Sequence, residues 1–323
     1  MNSVTFWHLG HSLPVSGGGG GSDVVGETII EITTTRPNQL FAWGAVEGSV
    51  NYYDWNGIVN NDSSHVFKEV GTYIIKLVGN ITHFSVSSPL VTNIIKVSNT
   101  VTTFEDSFAF CSNLRSIPEG LFDQNVNATS FKSCFSGCRS LTSIPVGLFD
   151  KNVNVTDFSG CFNVCESLAS IPAGLFDKNV NVTDFSSCFV SCSKLTSLPV
   201  GLFDKNVNVT DFSYCFNSCY RLVAIHDGFF DKNVNVVSFK NCFSFCSAFY
   251  SVPVGLFDKN IHVTDFSVCF AYCSNLTNRP KPNGLEMWQI AGTNGRPDSI
   301  DFTGLFTNCF RLPDYNSLPS SVK

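Results

Sequence analysis

The residues with the richest potential chemistry in this chain are its cysteines. Twelve of the fourteen fall in six pairs four apart, Cys134/Cys138, Cys161/Cys165, Cys188/Cys192, Cys215/Cys219, Cys242/Cys246 and Cys269/Cys273, with Cys111 and Cys309 as singles at the ends. Thiols so spaced serve as disulfides, as metal ligands, or as small apolar side chains that do no chemistry. A zinc site wants Cys-x-x-Cys spacing and a closed set of four ligands, and the sequence shows neither. Residues i and i+4 share one face of a helical turn, which suits two thiols pointing into a core. Reduced cysteine ladders are therefore expected, ahead of disulfides and of zinc.

Asp150-Lys151-Asn152-Val153-Asn154 and its copies have the Asp-x-Asn-x-Asn spacing of a calcium loop. The Gly at the sixth position and the Glu at the twelfth are missing. Stacked Asp and Asn that satisfy backbone donors are the simpler expectation. The histidines His8, His11, His65, His83, His226 and His262 are scattered, and no Gly-x-Ser-x-Gly or His-Glu-x-x-His occurs. A catalytic site would need a unique constellation that breaks the repeated pattern, so enzymatic activity and a cofactor are not expected. Asn154-Val155-Thr156, Asn181-Val182-Thr183 and Asn208-Val209-Thr210 match the glycosylation sequon, a match read as accidental.

What positions these residues is a period. Leu-Phe-Asp, or its variant, appears at Leu121, Leu148, Leu175, Leu202, Phe229 and Leu256, 27 residues apart each time. A fixed period of about 20 to 50 residues marks stacked coils, each burying its apolar face on its neighbours. Phe makes up 31 of the 323 residues and falls mostly at fixed positions, as expected when every coil supplies the same core layer. Within a coil, Leu141-Thr142-Ser143-Ile144-Pro145 reads as a short strand ended by proline. Asn152-Val153-Asn154-Val155-Thr156 alternates as a half-buried strand does. Asp157-Phe158-Ser159 leads into Cys-Phe-x-x-Cys, expected to be a turn of helix capped by Asp or Ser. Copies in adjacent coils then lie about 5 Å apart.

The coils begin near Asn99, where Val101-Thr102-Thr103-Phe104 opens a divergent first coil that reads as a cap. At the far end, 36 residues instead of 27 separate Cys273 from Cys309, which places an insertion near 278–299 with Pro280, Pro282 and Trp288 in it. Ahead of the coils, residues 1–26 read as a docking arm, with Phe6, Trp7, His8, Leu9 and Leu13, followed by a tether of glycines at 17–21. Short alternating strands are expected at 28–34, 40–43, 65–67, 72–78 and 90–97, giving a small β-sandwich over 27–99.

Two resemblances follow from these residues. Tyr53-Asp54-Trp55-Asn56-Gly57, His65-Val66-Phe67 and Gly71-Thr72-Tyr73-Ile74-Ile75-Lys76-Leu77 resemble the PKD-type immunoglobulin-like module. Its Trp-x-Phe-Gly-Asp-Gly turn is replaced here by Asp-Trp-Asn-Gly. Asn154-Val155-Thr156-Asp157-Phe158-Ser159-Gly160-Cys161-Phe162-Asn163-Val164-Cys165-Glu166-Ser167-Leu168 resembles the repeat of BspA-like leucine-rich-repeat surface proteins, with Phe158 and Cys161 in place of two Met. That likeness covers residues 100–310 and implies a displayed binding surface with no shared reaction or cofactor. The expected fold is mainly β with short helical turns, a small β-sandwich followed by a leucine-rich-repeat-like solenoid over 100–323.

Recognition is expected where the repeat varies. Aromatics gather in the last coils, and Tyr214, Tyr220, Phe245, Tyr250, Tyr272 and the inserted Trp288 are the candidate partner-binding residues, since aromatics bury much area at low entropic cost. Drift along the repeat and end-coil capping account for the same residues, and both readings stay open. A net charge of −6 with scattered Lys and Arg argues against nucleic acid. No apolar run reaches bilayer length, so membrane insertion is not expected. The start has no basic n-region or long apolar h-region. These features point to a non-enzymatic displayed protein. The expected carrier is a phage virion, as head decoration or tail fibre, held through a capsid or tail protein and meeting a host-surface protein or glycan. A bacterial or protozoan cell-surface adhesin is the alternative.

Overall fold

The computed structural model describes residues 25–323. The front module holds seven strands: β1 (Gly26–Thr34), β2 (Gln39–Ala42), β3 (Val46–Trp55), β4 (Val59–Asn60), β5 (Ser64–Phe67), β6 (Gly71–Phe84) and β7 (Val91–Lys96). Five make an antiparallel sheet in the order β4-β3-β6-β1-β7, and β2 pairs with β5 in a second, two-stranded sheet. β1 alternates buried and half-buried residues along its whole length, the signature of a strand with one face in a core. Between the sheets, Trp55 of β3 stacks on His65 at 5.7 Å and meets Phe41 and Phe67 edge-on. The expected strands are all present within a few residues. β3 lies outside that expectation because its first half is exposed and bulged, and β6 runs on past its expected end at residue 78 to Phe84.

From residue 100 the chain forms stacked coils, but their local structure differs from expectation. The segments around Leu141 and Asn152 are not strands. Successive coils are joined by isolated parallel bridges, as in Ser130↔Asp157, Asp157↔Asp184 and Asp184↔Asp211, with a further one at Ala224↔Ser251. Nor is the Cys-Phe-x-x-Cys segment helical, because Gly160 and Val164 have φ of 62° and 57°, outside the α-helical region. Instead the amide hydrogens alternate in use. Phe158, Gly160, Phe162 and Val164 donate to Asp184, Ser186, Cys188 and Val190 of the next coil, whereas Cys161, Asn163 and Cys165 donate three residues back within their own coil. Positive φ at the third residue of such a turn is the type II geometry. Asp157 closes the first turn, its carboxylate accepting the Ser159 amide at 2.7 Å.

This winding sends both cysteine columns inward, and all fourteen thiols are buried and unbridged. In the second column each Sγ from Cys138 onward donates to a Phe carbonyl of the preceding coil, as in Cys165 to Phe135 at 3.3 Å and Cys219 to Phe189 at 3.2 Å, and Cys111 donates to Val86 of the front module. The first column, Cys161 for example, is packed as a small apolar residue. Phe rings repeat in register, with Phe158–Phe185 at 5.8 Å and Phe162–Phe189 at 5.6 Å, both stacked.

A buried asparagine ladder completes the coil. Asn152 Nδ2 donates to the Phe122 and Asn125 carbonyls at 3.0 and 2.8 Å, and Asn179, Asn206, Asn233 and Asn260 repeat the pattern. The calcium-like spacing is resolved by the same contacts. Asn152 turns into the core and Asn154 reaches the Val126 carbonyl, so Asp150, Asn152 and Asn154 do not converge.

Both ends of the stack are closed by residues outside the repeat. At the front the cap is the module itself. Thr82 accepts the Thr102 amide at 2.9 Å, Val86 donates to Ser107 at 3.0 Å, and Asn125 bonds the Ser98 and Val101 carbonyls. The end of β6 thus stands where a preceding coil would stand, with Phe84 edge-on to Phe108 at 5.4 Å. At the far end Arg296 lies 36 residues after Asn260 and takes over the ladder. Its guanidinium donates to the Asn260 and Phe257 carbonyls at 2.8 and 2.6 Å. Ser321 and Val322 then accept the amides of Gly304 and Phe306.

Two measurements bear on this winding. Cys192→Ser keeps a donor for the Phe162 carbonyl, whereas Cys188→Ser buries a hydroxyl among apolar neighbours; urea unfolding should find Cys188→Ser the more destabilised by about 1–3 kcal/mol. Burial also pushes the Cys111, Cys219 and Cys309 thiols from an ordinary 9.0 up to about 12. The folded state then holds protons that the unfolded chain releases. Stability should be full below about pH 9 and fall as pH climbs toward 12, and unfolding midpoints across pH 7–11 will show whether it does.

Candidate interaction face

The type II turns expose two columns of side chains whose backbone is left-handed. One runs Asp106, Ser133, Gly160, Ser187, Tyr214, Asn241, Val268, Gly304, and the other Phe110, Gly137, Val164, Ser191, Ser218, Phe245, Tyr272, Asn308. Every member has φ between 52° and 74°. Gly and Asn tolerate this region, whereas other L-residues lose about 1–2 kcal/mol in it. Tyr214, Phe245, Val268 and Tyr272 occupy it at φ of 61°, 62°, 59° and 62°. Bulky side chains at strained backbone positions are an outlier that points toward use.

The structure brings two of the six candidate aromatics into direct contact. Phe245 and Tyr272 stack with centroids 4.2 Å apart and planes 4° from parallel, closer than the core rings beneath them, and each is 40% exposed. Their column neighbours are the small Ser218 on one side and Asn308 on the other. Tyr214 and Tyr220 are exposed in the coil of Ser218, at 38% and 47%. Tyr250 lies on a different side of the coil, where its amide bonds Val223 and its carbonyl accepts from Thr277.

Trp288 belongs to the end cap. It is half-buried against the core, with the Arg279 guanidinium 5.5 Å above its ring. Arg279 stands 27 residues after Val252, where earlier coils place Ile144 or Ile171. It binds Glu286 at 2.7 Å and grips Asp314 with two nitrogens, and Lys281 adds a contact to Glu286 at 2.8 Å. Arg279 accordingly holds the Glu286 and Asp314 carboxyls below their usual range. The repeat register alone would have flagged Arg279, a charge where earlier coils place Ile, but not Arg296, whose place in the asparagine ladder only the structure shows. The register gave no reason to single out Phe310, the most exposed aromatic of the far end at 66%, which meets Tyr315 edge-on. The docking-arm residues Phe6, Trp7, His8, Leu9 and Leu13 lie outside the described residues.

If the columns carry strain, glycine should relieve it. Ser187→Gly is expected to stabilise the chain and Gly160→Ala to destabilise it, each by about 1 kcal/mol in denaturant unfolding. Equal midpoints for both variants would show that the columns are unstrained.

No protein-family profile matches the chain, and no curated protein does. Among solved structures it is similar to a leucine-rich cell surface protein of Faecalibacterium prausnitzii A2-165. That likeness has 16% identity, covers 66% of this chain and 70% of that one, and has a TM-score of 0.29. It is also similar to a chain of the Toll–Spatzle complex of Drosophila at 17% identity, covering 61% of this chain and 35% of that one, with a TM-score of 0.25.

Proposed function

We propose that this chain is a non-enzymatic interaction protein displayed on a surface, in which a leucine-rich-repeat-type solenoid presents the Phe245–Tyr272 face to a partner. The strained, exposed, stacked pair carries this reading, because the core packing of the coils needs neither ring. Residues 27–99 serve as an immunoglobulin-like, PKD-type front module, and residues 1–26 as the attachment arm and tether. The partner through the solenoid is a host-surface protein or glycan.

For the carrier we favour a phage virion, as head decoration or tail fibre, with the arm docked on a capsid or tail protein. Its support is the thiol column. Eight cysteines use their S–H groups as donors to backbone carbonyls, and a particle assembled in a reducing cytosol keeps them so. A bacterial or protozoan cell-surface adhesin is the competing carrier. Among the described residues no helix is long and apolar enough to cross a membrane.

Two measurements test the reading. Mass spectrometry should find the chain in purified particles; finding it only in a membrane fraction would sink the virion carrier, and unchanged incorporation after removal of residues 1–24 would sink docking through the arm. Phe245→Ala with Tyr272→Ala should lower host-cell binding at least tenfold while leaving the fold intact, since both rings are exposed. Trp288→Ala should instead destabilise the end cap by about 3 kcal/mol. Wild-type binding by the double variant would move the contact elsewhere.

A further inference from the structure

We propose that the far end of the stack holds a binding site for one neutral sugar ring, at the corner between Phe310 and Tyr315. This deepens the interaction reading above and rests on it for its biological setting. A hollow of about 460 Å³ occurs at the junction of module and coils, but the hollow at the far end, about 310 Å³, has the chemistry of a ligand site. It is lined by Phe310, Leu312, Pro313, Tyr315, Asn316 and Ser317, together with Asp314. Its volume lies at the small end of the range for ligand cavities.

The two rings stand 5.1 Å apart at 73°, forming an aromatic corner rather than a closed stack. One wall is fixed in advance: the Tyr315 hydroxyl accepts the Asn308 amide at 3.1 Å, and its ring packs against the core. The other wall, Phe310, is 66% exposed and contributes little to the fold. Preorganised aromatic walls lower the entropic cost of binding.

The electrostatics of the hollow select the ligand. Asp314 is its one carboxylate, and Arg279 grips both its oxygens, which leaves no free charge for a cation. Arg279 is itself satisfied by Asp314 and Glu286, and the two other cations nearby, Lys323 turned to the Asn316 carbonyl and Arg311 turned to Asn275 Oδ1, do not line the hollow. The groups left at the rim are the amide of Asn316 and the hydroxyl of Ser317, neutral and able both to donate and to accept. Apolar ring faces beside uncharged donors and acceptors fit a polyhydroxylated ring, with C–H groups on its faces and hydroxyls at its edge. The hollow also adjoins the stacked pair. Asn308, bonded to Tyr315, follows Tyr272 in its column, and the Tyr272 amide bonds Thr307. A longer glycan leaving the hollow would run over Tyr272 and Phe245.

The test uses the full chain on an array of neutral, sialylated and sulfated oligosaccharides, followed by titration calorimetry with a retained neutral one. Neutral glycans should be retained, with affinity unchanged between 50 and 500 mM salt as expected for an uncharged ligand, roughly as screening dictates. Phe310→Ala should weaken binding about tenfold or more, a loss of about 1.4 kcal/mol, with an unchanged melt, and Phe310→Trp should keep it. Retention of charged glycans alone, of none, or binding by Phe310→Ala at wild-type strength would overturn the site. Host-cell binding that is destroyed by protease but survives glycosidase would overturn the sugar proposal and leave the interaction reading standing. Array binding without any host-cell binding would do the reverse.

Discussion

Everything in the coil stack depends on how alternate amide hydrogens are shared. Within the Cys-Phe-x-x-Cys segment, half of them cross to the next coil and half close turns in their own. A backbone so used has no orphaned donors and needs no helix or continuous strand, which is why the coils show single bridges instead of ladders. The pattern also fixes side-chain direction. Two thiols and two Phe rings per segment point inward, and the residues at positive φ point outward. The Cys Sγ and Asn Nδ2 groups then add a second donor, from the following coil, to carbonyls that already accept an amide of their own coil.

A ladder of this kind has two open ends, and each would leave a row of unsatisfied groups in contact with an apolar core. The chain closes them by different means. At the front, the paired end of β6 and the residues just after it offer Thr82 and Val86 as if they belonged to a coil, so module and stack share one core. At the back, a guanidinium substitutes for an amide: Arg296 donates to the Asn260 carbonyl and gives the Phe257 carbonyl, which already accepts the Asn260 amide, a second donor. Burial lowers the pKa of Arg296 from its usual value, the cost of placing a cation where earlier coils use a neutral group. The asparagine ladder carries its own cost, since the Oδ1 atoms of Asn152 and its copies find no hydrogen-bond partner among the described residues.

The period, the core residues and the coil boundaries were legible because apolar positions recur at a fixed spacing. So was the front module, through the alternation in β1 and the Gly-Thr-Tyr start of β6. The winding inside a coil was not legible. The i, i+4 spacing of the cysteines fits a helical turn and a pair of type II turns equally well, and only the sign of φ at Gly160 and Val164 separates them. Tyr272 and Phe245 were readable as surface aromatics, but their contact depends on two adjacent coils being in register. Trp288 was misplaced with them because an inserted segment has no register to read. Its partner, Arg279, lies inside the repeat at a position that Ile and Val otherwise fill.

A perfect repeat has a limit as a binding surface. Identical coils present each side chain as a stripe, and a stripe offers every point along it the same contacts, so it cannot define one address. A hollow with distinct walls requires the period to break. It breaks in this chain after Cys273, where nine added residues bring Arg279, Glu286 and Asp314 together and let the last turn fold back. That fold-back sets Tyr315 against Phe310 and neutralises the one carboxylate beside them. The ion cluster that seals the core therefore also decides the polarity of the hollow outside it. Capping and the proposed recognition share one end because both need residues that no other coil possesses.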